Sequence, residues 1–120
     1  GNVNNKIAII VDDIIDTAGT VCRAADELCN NGASSVYVLA SHGLFSGDAL
    51  DRINKSCIKK VVVSNTCHIS KDIINKCNKI QVLDVSWICA EAIRRQNFGE
   101  SLRELYNYDN QTYNYPINFV

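Results

Sequence analysis

A chain of 120 residues, 47% hydrophobic and 21% charged, has room for one domain with a core of its own. Its net charge of −1 offers no broad field for gripping nucleic acid or an anionic membrane. No apolar run approaches the roughly 20 residues of a membrane span, and no basic-then-apolar leader opens the sequence. The sequence lacks methionine even at position 1, so it is expected to be part of a longer or processed chain, with "GNVNNK" a cut edge.

The first predicted element is a strand over Ile7–Val11, aliphatic with little alternation, as in strands covered on both faces. It runs into Asp12, Asp13 and Asp16 and then the turn Thr17-Ala18-Gly19-Thr20. From there Val21, Ala24, Ala25 and Leu28 recur on one helical face, and Asn30-Asn31-Gly32 supplies a stop. Val36–Ala40, Lys60–Val63 and Ile80–Leu83 read as three further strands, with Ser46 and Ser70 placed to cap the short helices between them. Val85, Ile88, Cys89, Ala92 and Ile93 stripe the next helix, and Ser101-Leu102-Arg103-Glu104 has the capping-box form of a last short one. The domain is therefore placed at residues 1–106. Residues 107–120, "NYDNQTYNYPINFV", show no period and read as a loose tail.

Such alternation implies an α/β fold, a three-layer arrangement of a mostly parallel sheet with helices on both faces, open to lacking its early strands. Ligands of open α/β sheets gather beyond the carboxyl ends of the strands. That rim should collect Asp12-Asp13, Ser41-His42-Gly43, Ser64-Asn65-Thr66, and Asp84 with Ser86. The six cysteines, at 22, 29, 57, 67, 77 and 89, form no Cys-x-x-Cys pair and have no histidine at ligand spacing. They read as reduced structural residues in a reducing compartment, with no metal site.

The chemistry concentrates in "VDDIIDTAGT". The first N–H groups of a helix lack internal partners and carry partial positive charge. Gly19 admits close approach of the main chain, and Thr17 and Thr20 add hydroxyls, so Asp16-Thr17-Ala18-Gly19-Thr20 has the makings of a phosphate cradle. Asp12 and Asp13 repel phosphate but accept hydrogen bonds from vicinal sugar hydroxyls. A pentose phosphate satisfies both halves together. The plain alternative is that Asp16 or Thr17 caps the helix while Asp12 and Asp13 end a strand.

"IAIIVDDIIDTAGT", "SHGLFSGDALDRIN", "VVVSNT" and "AEAIRRQNFGESL" resemble the ribose-phosphate diphosphokinases, the phosphoribosyl diphosphate synthetases, over about residues 1–106. The resemblance implies the type I phosphoribosyltransferase fold and the C-terminal part of a cytoplasmic, homo-oligomeric enzyme. That enzyme turns ATP and ribose 5-phosphate into AMP and phosphoribosyl diphosphate with Mg²⁺. It also implies that Asp12 and Asp13 hold the ribose hydroxyls, that Asp16, Thr17, Ala18, Gly19 and Thr20 surround the 5-phosphate, and that Ser101 lies in the regulatory nucleotide segment. Arg103 and Tyr106 depart from the small polar residue and phenylalanine of the family pattern. Near the motif the only cations are Lys6 and Arg23, and the family's metal ligands and catalytic basic loop lie upstream of the matched segment. The chain alone is thus expected to be inactive. Two other readings remain: a phosphoribosyltransferase, which would need a nucleobase hood, and a nonenzymatic regulatory subunit, against which the intact "DTAGT" speaks.

The remaining polar and aromatic residues are expected to do structural work. His42 reads as a structural or interface histidine, His68 as inert, Trp87 as packing at a helix start, and Arg94 and Arg95 as a solvated face. Asn65 and Thr66 are left between a ligand and a neighbour.

Overall fold

The structure, a computed structural model, describes residues 1–106 and 119. The chain alternates β1 (Ile7–Ile15), α1 (Gly19–Asn30), β2 (Ser35–Gly43), α2 (Ala49–Lys55), β3 (Ile58–Ser64), α3 (Lys71–Lys76), β4 (Ile80–Leu83) and α4 (Ser86–Asn97), and closes on a 3₁₀ turn, Leu102–Tyr106. The four strands pair in parallel in the order β1-β2-β3-β4, the α/β arrangement expected. The reading of residues 107–120 as a tail lies outside the described residues, apart from an antiparallel bridge between Phe119 and Leu83.

One face of the sheet is sealed. Val36, Val38, Val61, Val63, Ile80 and Val82 point alternate side chains into a core that also takes Val21, Cys22 and Ala25 of α1 and Ala49 and Ile53 of α2. On β1 the alternate residues Ile7, Ile9 and Val11 stay 64%, 59% and 77% exposed. A strand order that steps one way with right-handed crossovers puts its connecting helices on a single face. Cover on the second face of β1 is accordingly partial among the described residues.

Local chemistry modifies several helix ends. α2 starts at Ala49, later than a cap at Ser46 implies, although the Ala49 N–H does donate to the Ser46 carbonyl at 3.2 Å. Ser70 occupies the N-cap position of α3 without a side-chain cap bond. Ser101 Oγ accepts from the Arg103 N–H at 3.2 Å, which closes a 3₁₀ turn in place of a capping box. On α4 the apolar stripe is largely open, with Ile88 39% and Ile93 68% exposed, while Arg95 is the buried residue.

Arg95 corrects the expectation of a solvated arginine pair. Its Nε donates to Glu91 Oε1 at 2.8 Å and its Nη1 to the Ser101 carbonyl at 2.9 Å, which ties α4 to the turn that follows. Arg94 faces outward and bonds both Glu91 and Glu100. Hydrogen bonds from Arg94 first, and from Arg95, pull the Glu91 carboxyl down to about 2.

A second correction concerns the cysteines. Cys29, near the end of α1, is bridged to Cys57, in the link before β3, and Cys22, Cys67, Cys77 and Cys89 are free. Neither spacing nor motif announces this pair, because only the packing of α1 over β2 and α2 brings residues 28 apart together. The argument from six reduced thiols to a reducing compartment falls with it. Closing a loop of that length contributes about 3–4 kcal/mol in the chain-entropy account. A reductant is therefore expected to lower the thermal midpoint, and a Cys29→Ser chain should match the reduced wild type. Identical midpoints with and without reductant would show that the bridge contributes nothing.

Candidate functional site

β1 runs beyond Val11 because its ladder with β2 continues, pairing Asp12 with Ala40, Ile14 with His42 and Ile15 with Gly43. Asp12 and Asp13 therefore lie within the strand's final stretch and not after it. Likewise Ser41, His42 and Gly43 lie inside β2. Both carboxylates are exposed, and Asp12 Oδ1 accepts the Asp13 N–H at 2.9 Å. The wet surroundings make the charge density tolerable. Ile15, 2% exposed, pins the strand end into the core.

The turn that follows is held by its carbonyls. The Ile15 oxygen accepts from the Leu44 and Phe45 N–H groups at 2.8 and 3.3 Å, and the Asp16 oxygen from Ser46 N–H at 3.0 Å. The Thr17 oxygen accepts from Arg52 Nη1 at 3.1 Å, and the Ala18 oxygen from Cys22 N–H at 3.0 Å. Four successive acceptors are thus committed to protein donors. Ala18 takes a left-handed conformation, φ 58° and ψ 8°, and its methyl is buried at 5% exposure. Such a φ is uncommon for a non-glycine residue. No side chain caps α1, so Asp16 and Thr17 are not the helix caps of the plain alternative.

What remains on the open side is the start of a 12-residue helix, with its partnerless first N–H groups and its positive dipole end. Asp16, Thr17 and Thr20 are exposed around it. The arrangement suits an anion, with two carboxylates a few residues back along the same strand. Arg52 is the member that sequence reasoning missed. It comes from α2, 35 residues along the chain from Thr17, and only the docking of α2 on α1 reveals it.

The rest of the rim is tied to itself. His42 Nδ1 lies 2.7 Å from Thr66 Oγ1, which lies 2.8 Å from Ser64 Oγ, and both hydroxyls donate to the Ser41 carbonyl. Asn65 Nδ2 donates to Asp84 Oδ1 at 2.7 Å, and Asn65 Oδ1 accepts from Val85 N–H. Hydrogen bonds from the Ser86 backbone and side chain, then from Asn65, hold the Asp84 carboxyl below its ordinary range. These residues knit the ends of β2, β3 and β4 together. Trp87 is half-buried at the start of α4, and His68 is exposed.

The model of the phosphoribosyl synthetase-associated domain matches residues 1–107. The chain belongs to this family. Among solved structures it is similar to phosphoribosylpyrophosphate synthetase from Mycobacterium smegmatis, with 33% identity and a TM-score of 0.78. That match covers 82% of this chain and 33% of the synthetase chain, so the domain spans about a third of the length of that relative. The likeness to ribose-phosphate diphosphokinases read in the sequence thus holds in both sequence family and fold. Among the described residues no group of three His, Cys, Asp or Glu is arranged to hold a metal ion. No described helix is long and apolar enough to cross a membrane.

Proposed function

We propose that this domain supplies the ribose 5-phosphate site of a ribose-phosphate diphosphokinase. The observation that carries the reading is the commitment of the carbonyls of residues 15–18 to protein donors. A loop whose acceptors are all engaged presents its N–H side and a helix start to the ligand, as an anion requires. The 5-phosphate rests against Thr17, Ala18, Gly19 and Thr20, with Asp16 at the loop's edge. The sugar's vicinal hydroxyls donate to Asp12 and Asp13.

In the reaction, ATP gives its diphosphoryl group to the C1 hydroxyl of the sugar, leaving AMP and phosphoribosyl diphosphate. The part of this chain is to bind and orient the pentose, because positioning is a large share of catalysis in such transfers. ATP, Mg²⁺ and the charge-neutralising bases belong to the remainder of a catalytic subunit, so the chain alone should turn nothing over. A cytoplasmic, homo-oligomeric enzyme of nucleotide biosynthesis, with Ser101 in its regulatory segment, completes the proposal. The similarity to a synthetase over one third of its length supports it.

Calorimetric titration tests the reading. Ribose 5-phosphate should bind more tightly than inorganic phosphate, and ribose should give no measurable heat. Equal affinity for ribose 5-phosphate and phosphate would remove the role of Asp12 and Asp13. An absence of binding to both would remove the cradle.

A further inference from the structure

We propose that Arg52 is the positioning residue of the sugar-phosphate loop, holding the Thr17 carbonyl away from the cradle so that the Ala18 N–H faces into it. The proposal rests on the reading of this loop as the phosphate site and assigns the element that gives it its shape.

Of the four engaged carbonyls, three are held by main-chain N–H groups of Leu44, Phe45, Ser46 and Cys22, whose places are fixed by the fold itself. Only the Thr17 carbonyl depends on a side chain, through the 3.1 Å bond from Arg52 Nη1. In a trans peptide the C=O and the following N–H point in opposite directions. Fixing the Thr17 oxygen on Arg52 therefore aims the Ala18 N–H to the other side of the chain.

The backbone by itself leans the other way. A left-handed conformation is disfavoured at alanine, and rotating the Thr17–Ala18 peptide changes the Ala18 φ from its 58°. A hydrogen bond from a charged donor is roughly twice as strong as a neutral one, and here it opposes that rotation. The guanidinium also places a positive charge beside the loop.

Gly19 belongs to the same device. A Cβ at that position would lie 3.3 Å from Arg52 Nη1, so the guanidinium would have to give by a few tenths of an ångström. Glycine at 19 thus leaves the arginine room to reach Thr17 without that shift.

The test uses the 120-residue chain and its Arg52→Met, Arg52→Lys, Gly19→Ala and Gly19→Ala/Arg52→Met variants. It reads ribose 5-phosphate affinity by calorimetry, and the Ala18 amide resonance without ligand by NMR. Arg52→Met should weaken binding by about tenfold or more, shift the ligand-free Ala18 resonance, and leave the thermal midpoint within a few degrees. Arg52→Lys should recover part of the affinity. Gly19→Ala should weaken binding in the wild-type background and add nothing once Arg52 is methionine.

Unchanged affinity in Arg52→Met, with wild type binding normally, overturns the proposal. So does lost affinity with an unmoved ligand-free Ala18 resonance, because the arginine would then act on the phosphate itself. If wild type fails to bind ribose 5-phosphate, the functional reading fails. The ligand-free resonance still decides whether Arg52 orients the loop.

Discussion

Gly19→Val is expected to weaken ribose 5-phosphate binding by about 10- to 100-fold with little change in the thermal midpoint. Two effects add. The branched side chain starts from a Cβ only 3.3 Å from Arg52 Nη1 and carries two methyls beyond it. The charged bond to the Thr17 carbonyl is strained as the guanidinium gives way, and its full loss would cost about 1.5–3 kcal/mol, roughly tenfold to a hundredfold. The methyls also stand at the first residue of α1, where a phosphate must approach the main chain closely. Stability is nearly indifferent because Gly19 sits at the helix start and its backbone is not in a left-handed conformation. Equal calorimetric affinity in the valine chain would show that no ligand approaches this turn.

Ile53→Ala should cost about 2–5 kcal/mol of stability, a large part of the roughly 5–15 kcal/mol typical of a domain. Ile53 is fully buried, and it lies on α2 one residue beyond Arg52. Its side chain seats α2 in the same buried core as Val36, Ile58 and Val61. The cavity left by alanine removes packing from the helix that delivers the arginine. Urea unfolding should show a lower midpoint with an unchanged slope, the mark of altered stability without altered exposure. A midpoint equal to wild type would mean that the site collapses without cost.

Much of this fold can be read along the chain because a parallel sheet writes itself in continuous aliphatic runs. Ile80–Leu83 begins and ends where the apolar run does. The run Ile7–Val11 underestimates β1 because its last residues are held by ladder bonds to β2, and aspartates look like strand breakers when no partner is visible. The loop proposed to hold the sugar phosphate is legible for a related reason: such a function needs particular residue types in consecutive positions.

Long-range partners leave no such trace. The Arg52–Thr17 bond, the Cys29–Cys57 bridge and the burial of Arg95 against Glu91 and Ser101 all depend on which surfaces meet. On α4 the helical stripe is present in the sequence, yet Ile88 and Ile93 remain exposed. Periodicity reports which face is apolar, and only the assembled molecule reports whether anything lies against it.

Among the described residues, the strand bearing Asp12 and Asp13 is supported by hydrogen bonds along one edge only, and its Ile7, Ile9 and Val11 side chains are open to water. A lever fastened on one side retains more freedom than a central beam, and a sugar held at its tip, as proposed, would have to still that freedom. On the proposed reading, the ribose 5-phosphate affinity of this chain is a floor: stiffening β1 from its open flank would tighten the grip without touching a single ligand contact.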